Sequence, residues 1–343
     1  MKKLHLLLST AVLFLLVSCS NEFDVAAPWK EIPVAYAILS PKDTAHYIRV
    51  EKAFLDPVTN ALVIAQIADS IYYPADAVTV WLERTSNQTR VQLQRVDGVL
   101  EGIVRDTGVF ATNPNWLYKY KPAPGAGLIA GEKYRLIIER NDGKAPITAE
   151  TTLPKDFLFI KPNPAQIPPL INFFPTVPTD LEWRCDQFAV LFDVFVTVRY
   201  REEDANGNTL QHVALNWKAP GQVTLDALGG SGLFRGKMPL SGTEFYRFLN
   251  LNVLPSTDKF RYFEDMDIRL IGGGKEIKEY LVTANANAGI TGAEIIPTYT
   301  NLSEGYGIFS AKNTDVLTKI KVTTKTVDSM LIHPLTRDLN FKY

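Results

Sequence analysis

The most reactive side chain near the start of this chain is a thiol, Cys19, and the residues before it fall in a recognisable order. Met1-Lys2-Lys3 is a short basic start, and an apolar run from Leu4 to Val17 follows, broken by His5, Ser9 and Thr10. The small residue Ser18 then precedes Cys19. A basic start, an apolar core and a small residue at the cleavage point make a secretory signal peptide. The apolar run has about 14 residues, short of the roughly 20 that cross a bilayer. Ser20-Asn21-Glu22-Phe23-Asp24 is polar and acidic, so no stop-transfer pattern follows. Residues 1–18 read as the signal peptide, which leaves the Cys19 thiol at the new N-terminus.

Leu16-Val17-Ser18-Cys19 resembles the lipobox of bacterial lipoproteins. That resemblance implies that Cys19 is lipidated and is the first residue of the mature chain. Acyl chains such as palmitate add roughly 0.8 kcal/mol per buried methylene, and more than one chain gives stable anchoring. Ser20, in place of aspartate, implies the outer membrane of a diderm bacterium. Glu22 and Asp24 form a weak version of the acidic stretch that resembles a surface-export signal in Bacteroidota-type lipoproteins. The implied location is the outer membrane, lipid-anchored, on the cell surface, with the periplasmic face as the alternative.

Elsewhere the residues that do chemistry are scattered. Of the 4 histidines, His5 falls in the signal peptide, and His46, His212 and His333 form neither an i, i+4 pair nor HExxH. Cys185 is the one other cysteine, so acylation of Cys19 leaves no disulfide and no thiolate metal site. With no histidine nearby in sequence, Cys185 reads as a small buried hydrophobe. Gly229-Gly230-Ser231-Gly232 imitates a nucleophile elbow but lacks the strong strand before it. Gly272-Gly273-Gly274 before Lys275 lacks the rest of a phosphate loop. Asp204-Ala205-Asn206-Gly207-Asn208 lacks the ligand spacing of a calcium loop and reads as a hairpin turn. Glu264, Asp265 and Asp267 are the best acid–base candidates, of the kind that cleaves glycosides. With 37 carboxylates in the chain, such a cluster arises by chance. No catalytic residue, metal or cofactor is assigned, and the chain reads as non-enzymatic.

Aromatic residues make up 11% of the chain and supply candidate contact surfaces. Trp116, Tyr118 and Tyr120 alternate within residues 111–131, a Gly- and Pro-rich stretch that reads as a long loop. Tyr262 and Phe263, beside Arg261, form a second group. Such rings stack on sugars or anchor protein partners. The competing reading is that they cover the ends of a sandwich.

The elements that would position these residues are mostly strands. Removing residues 1–18 leaves 325 residues, enough for two domains with cores of their own. It also leaves 34 basic against 37 acidic residues, a net charge of −3, which argues against nucleic acid as a partner. Alternating patterns mark strands at 32–39, 46–54, 78–84 and 91–96, the last joined to 99–105 by a hairpin at Asp97-Gly98. Strands at 132–140 and 147–154 flank the turn Asn141-Asp142-Gly143. After a lipidated tether at 19–31, residues 32–155 are expected to form a β-sandwich. Six prolines between Pro162 and Pro178 disfavour helix and central strand in the linker, 156–185. Phe173, Phe174 and Trp183 are apolar enough that this linker is expected to pack rather than swing. The second domain, 186–343, opens on an apolar strand at 188–200, with helices expected near 244–253, 276–283 and 326–331. Residues 219–243 read as loop and 319–325 as a last strand. The fold class is mainly β: two β-sandwich-like domains, with a few short helices in the second.

Two stretches carry a resemblance beyond the lipobox. Gly131 through Pro154, with its tyrosine-bearing strand, tight turn and threonine-rich strand, is similar to the closing hairpin of immunoglobulin-like or transthyretin-like domains in bacterial surface proteins. Asn301-Leu302 followed by Gly305-Tyr306-Gly307-Ile308-Phe309 resembles the C-terminal signature of a family of uncharacterised Bacteroidota outer-membrane lipoproteins. Members of that family often accompany TonB-dependent transporters, which implies a transporter as partner and brings no established activity. In physical terms, Gly305 and Gly307 are expected to take positive φ or approach backbone closely where a strand begins. Ile308 and Phe309 would then pack in the second domain. The function expected is a binding or accessory subunit beside such a transporter. A stand-alone surface protein for carbohydrate or peptide, and a hydrolase with an unrecognised site, are the alternatives.

Overall fold

The computed structural model describes residues 31–53, 60–225, 234–286 and 298–343, so Cys19 and most of its tether lie outside the described residues. The first part of the chain forms β1 (Ile32–Leu39), β2 (His46–Ala53), β3 (Val78–Arg84), β4 (Thr89–Gln92), β5 (Gln94–Asp97), β6 (Trp116–Tyr120), β7 (Lys133–Arg140) and β8 (Ile147–Thr152). Two short helices, α1 (Ala61–Ala65) and α2 (Ala68–Ile71), lie between β2 and β3. Alternation along the strands sends Ala35, Ala37 and Leu39 of β1 and Ile48 and Val50 of β2 into one core. Val78, Val80 and Leu82 of β3 and Leu136 and Ile138 of β7 meet them from the opposite sheet, ordered β4-β3-β7-β8.

Asp97-Gly98 does not close the expected hairpin. The chain changes sheets at Leu93, whose N–H bonds Val80 O at 2.8 Å, so β4 pairs with β3 while β5 pairs with β6. Residues 99–105 run as turns instead of a strand, because Gly102 at φ +77° bends the chain back. The expected loop 111–131 contains β6, which pairs with both β2 and β5.

The second part forms β9 (Leu158–Lys161), β10 (Leu170–Ile171), β11 (Thr179–Cys185), β12 (Leu191–Glu203), β13 (Thr209–Lys218), β14 (Val223–Thr224), β15 (Phe234–Leu240), α3 (Gly242–Asn252), β16 (Phe260–Gly273), α4 (Lys275–Ala286), β17 (Tyr306–Val322), α5 (Thr324–Ile332) and β18 (Phe341–Lys342). The sheet through β13, β12, β16 and β17 shares a core with the sheet β15-β11-β9 and with α3. Residues 156–185 are therefore structural: Leu181, Trp183 and Cys185 of β11 are fully buried. Residues 219–243, expected as loop, include β15. The Trp183 indole packs so closely there that a Cβ on Gly236 would lie 2.2 Å from it.

β17 joins the two parts. Its first residues pair in parallel with β1, from Val34↔Tyr306 to Leu39↔Ala311. Its later residues pair antiparallel with β16, from Gly273↔Lys312 to Met266↔Ile320. One strand thus replaces the two expected from sequence. Phe309 and Ala311, with Leu302 ahead of them, complete the first core, whereas Ile320 lies in the second. Phe309 therefore packs with the N-terminal strands, not in the second domain as its chain position implied.

The Asn-Leu, Gly-x-Gly-Ile-Phe stretch has a physical account. The Asn301 side chain accepts from Phe309 N–H at 2.9 Å and donates to Phe309 O at 2.8 Å, copying a strand pairing. Gly305 and Gly307 take φ +91° and +127°. A Cβ at these positions would lie 2.0 Å from Pro33 O and 1.8 Å from Ala35 O, so glycine lets β17 approach β1. Gly307→Ala should lower unfolding stability by at least about 3 kcal/mol through clash and strained φ. Asn301→Ala should lower it by roughly 2–4 kcal/mol by stranding buried amide groups. Urea unfolding of both variants checks this; losses below 1 kcal/mol, on the order of noise for such sites, would contradict the account.

Candidate functional site

The aromatic row on β6 is mostly core cover. The two-residue period sends Tyr118 and Tyr120 inward, where Tyr118 is 4% exposed and Tyr120 stacks on His46 with ring centroids 5.9 Å apart. Trp116 packs against Ile71, Tyr72 and Ala111, with the Arg95 guanidinium 4.6 Å from its ring. Strand pairing thus buries Tyr118 and leaves Trp116 and Tyr120 partly exposed. Tyr120 also borders a recess of about 210 Å³ with Tyr134, Arg84 and Leu128.

Tyr262 and Phe263 are neighbours in β16 and so face opposite ways. Phe263 points inward and stacks on Phe341 at 5.0 Å. Tyr262 points outward beneath the Arg201 guanidinium, 4.5 Å from its ring. Arg261 is 3% exposed and committed to Glu202 at 2.8 Å and Leu339 O at 2.6 Å.

The acidic cluster next to them is real, and a bulge makes it. Arg199 pairs with Asp265 and Tyr200 with Phe263, which leaves Glu264 as the extra residue. Asp265 and Asp267 then share the outward face. Arg199 holds them with Nη1 2.7 Å from Asp265 and Nη2 2.5 Å from Asp267. Glu264 meets His212 Nδ1 at 2.9 Å. Asp267 also accepts the Lys319 N–H at 3.1 Å, so it closes an irregularity between β16 and β17. The Arg199 hydrogen bond, with help from that N–H, holds the Asp267 carboxyl below the usual carboxylate range. Glycoside cleavage needs one carboxyl kept protonated near neutrality, and Asp267 is shifted the opposite way.

What this side of the molecule offers is a charged and aromatic face. Phe195 lies between Lys218 at 5.7 Å and Arg269 at 5.1 Å, and the Arg201–Tyr262 pair stands on the same face of the sheet. Cation–π contacts of this kind fix side chains on an otherwise mobile surface. Below its edge, Phe263, Lys321 and Tyr343 border a recess of about 200 Å³.

Sequence reasoning missed one polar cluster on the first sandwich. Glu51, 7% exposed, accepts from Arg49 at 3.0 Å and Arg105 at 2.7 Å. Both guanidinium groups also reach the Tyr72 hydroxyl, and Arg49 Nη2 donates to Asn115 at 2.9 Å. This network ties the 97–115 excursion to β2. Its signal in the sequence was Arg49 and Glu51 two residues apart, on one face of a strand.

Cys185 is fully buried, and burial pushes its thiol up to about 12, which makes it inert. Among the described residues, no group of three or more His, Cys, Asp and Glu is placed to hold a metal ion. No described helix is long and apolar enough to cross a membrane.

No protein family matches the sequence, and no curated protein matches it either. Among solved structures, the FN1-FN3 domains of chicken CNTN1 are similar at 8% identity with a TM-score of 0.18. That match covers 70% of this chain and 63% of the other, less than two thirds of its length. The β-sandwich assignment rests on the sheets themselves.

His46 offers a pH test of the packing around Tyr120. Both ring nitrogens are buried without a hydrogen-bond partner among the described residues. Burial holds the imidazole below its usual pKa, so the unfolded chain takes up the proton first. Stability is then full above the unfolded value of about 6.5 and falls as pH drops toward the lowered folded value, by up to about 1.4 kcal/mol per pH unit. Urea midpoints between pH 7.5 and 5 should fall more steeply in the unsubstituted protein than in His46→Phe, which keeps the ring stack. Parallel declines in the two would contradict this.

Proposed function

We propose that this chain is a non-enzymatic outer-membrane lipoprotein that serves as a binding or accessory subunit beside a TonB-dependent transporter. The observation that carries the reading is Leu16-Val17-Ser18-Cys19 at the end of a signal peptide, followed by a short tether into β1. Cys19 carries the lipid, and the protein faces the cell surface, as the acidic Glu22 and Asp24 support. The resemblance of the Asn301–Phe309 stretch to lipoproteins that accompany such transporters supports the partner.

Two features of the folded part are consistent with recognition of a protein. The recesses beside Tyr120 and Phe263, at about 210 and 200 Å³, are smaller than the roughly 300 Å³ at which small-molecule sites begin, and the one of about 570 Å³ beside Arg135, Glu150 and Asn301 lies open to solvent rather than enclosed. The face around Phe195, Tyr262 and Arg201 combines aromatic rings with arginines, residue types enriched where proteins bind one another. The 13 residues of the tether, 19–31, reach at most roughly 45 Å, which keeps the first sandwich within reach of a membrane-embedded partner.

Cys19→Ala should move the protein from the membrane fraction to the soluble fraction. Extraction of the acylated chain in mild detergent should co-purify a transporter. Unchanged fractionation of Cys19→Ala would overturn the anchor, and recovery of the chain with no other protein bound would overturn the partner.

A further inference from the structure

Among the described residues, the sheet edges are blunted with one exception. β4, β5 and β9 have four residues each. β15 carries Arg235, Lys237 and Pro239. β8 is capped by a neighbouring segment: Ser303 N–H bonds Thr148 O at 2.8 Å, Thr148 N–H bonds Ser303 Oγ at 2.9 Å, and the Asn301 amide donates to Glu150 O at 3.3 Å. Short length, charge, proline and covering segments are the means by which natural sheets avoid pairing with another chain.

β13 has little of this protection, its one Lys standing at its very end. It ends the sheet order and runs for ten residues, and among the described residues it pairs only with β12. From Thr209 to Trp217 it holds no Asp, Glu, Lys, Arg, Pro or Gly. Its one irregularity lies at its start, opposite Glu202 and Glu203. Val213 and Leu215 are half-buried on the second core, so the apolar stripe reaches the margin of the sheet and ends uncovered.

We propose that β13 pairs antiparallel with β13 of a second copy of this chain, joining the two sheets across a two-fold axis. Centred on Ala214, this pairing sets Val213 opposite Leu215 and His212 opposite Asn216. The apolar stripe continues, and no like charges meet. Lys218 closes one end of β13, and the turn bearing Asp204 precedes the other. In this register Lys218, which also meets Asp193 of its own chain at 3.4 Å, stands opposite Leu210 of the second copy, beside the turn that bears Asp204. Asp204 is kept ionised there by the Asn208 amide and by turn N–H groups. These matched ends and the neutral centre favour a second copy over an unrelated strand.

The test uses the full acylated chain in detergent, first separated from any co-purifying protein, followed by sedimentation velocity. The unsubstituted protein should carry twice the single-chain protein mass. Ala214→Lys and Ala214→Glu sit on an exposed position and should melt like the parent, yet each should raise the self-dissociation constant at least about tenfold by opposing like charges. Mixing the two variants should restore the dimer. Ala214→Cys should form a disulfide between two copies in membranes, since Cys185 is buried. A single-chain mass for the parent, a dimer that persists in both charged variants, or a disulfide to a different protein would each overturn the proposal.

Discussion

The molecule depends on a single strand that serves two cores. β17 runs for 17 residues, pairing with β1 at one end and with β16 at the other. Its apolar residues sit at the two ends, and its middle is polar where it leaves one core for the next. Ser310 donates to the buried Glu276 at 2.8 Å, and Asn313 donates to Pro154 O and Asp156 at 3.1 Å. Asp315 accepts the Phe157 N–H at 2.5 Å. Each polar group meets a segment of the connection between the sandwiches or of α4. Buried polar groups are tolerated only when paired, so this junction is specified as well as stabilised. The glycines that admit β17 beside β1 and the Asn301 side chain that holds Phe309 serve the same end.

Much of this fold was legible because strands announce themselves locally. Alternation located β1, β2, β3 and β7, a continuous apolar run located β12, and helices were expected where α3, α4 and α5 lie. What escaped was non-local. Nothing in residues 94–105 signals that the chain switches sheets at Leu93, since the alternation continues through it. β6 hid among prolines and glycines that belong to its flanks. β17 looked like two short strands because its polar middle breaks the apolar pattern, and that middle is polar for reasons of tertiary contact. The glycine pair at 305 and 307 was read correctly as a backbone requirement, but its partner strand could not be named from sequence.

The candidate site was legible as composition and not as geometry. Tyr118 and Tyr120 look like a binding row in a loop and are core cover in a strand. Glu264, Asp265 and Asp267 look like an acid–base set, but Arg199 forms ion pairs with both aspartates and the His212 ring hydrogen-bonds Glu264. The surfaces that remain are the charged and aromatic face around Phe195, Tyr262 and Arg201 and the apolar margin at β13.

If β17 couples the cores, neither sandwich opens alone. Hydrogen exchange followed by mass spectrometry through a urea series tests this most directly. Amides of β3 and β7 in the first sandwich should lose protection at the same urea midpoint as those of β12 and β16 in the second. Loss of protection in β3 and β7 while β12 and β16 stay protected would contradict the account.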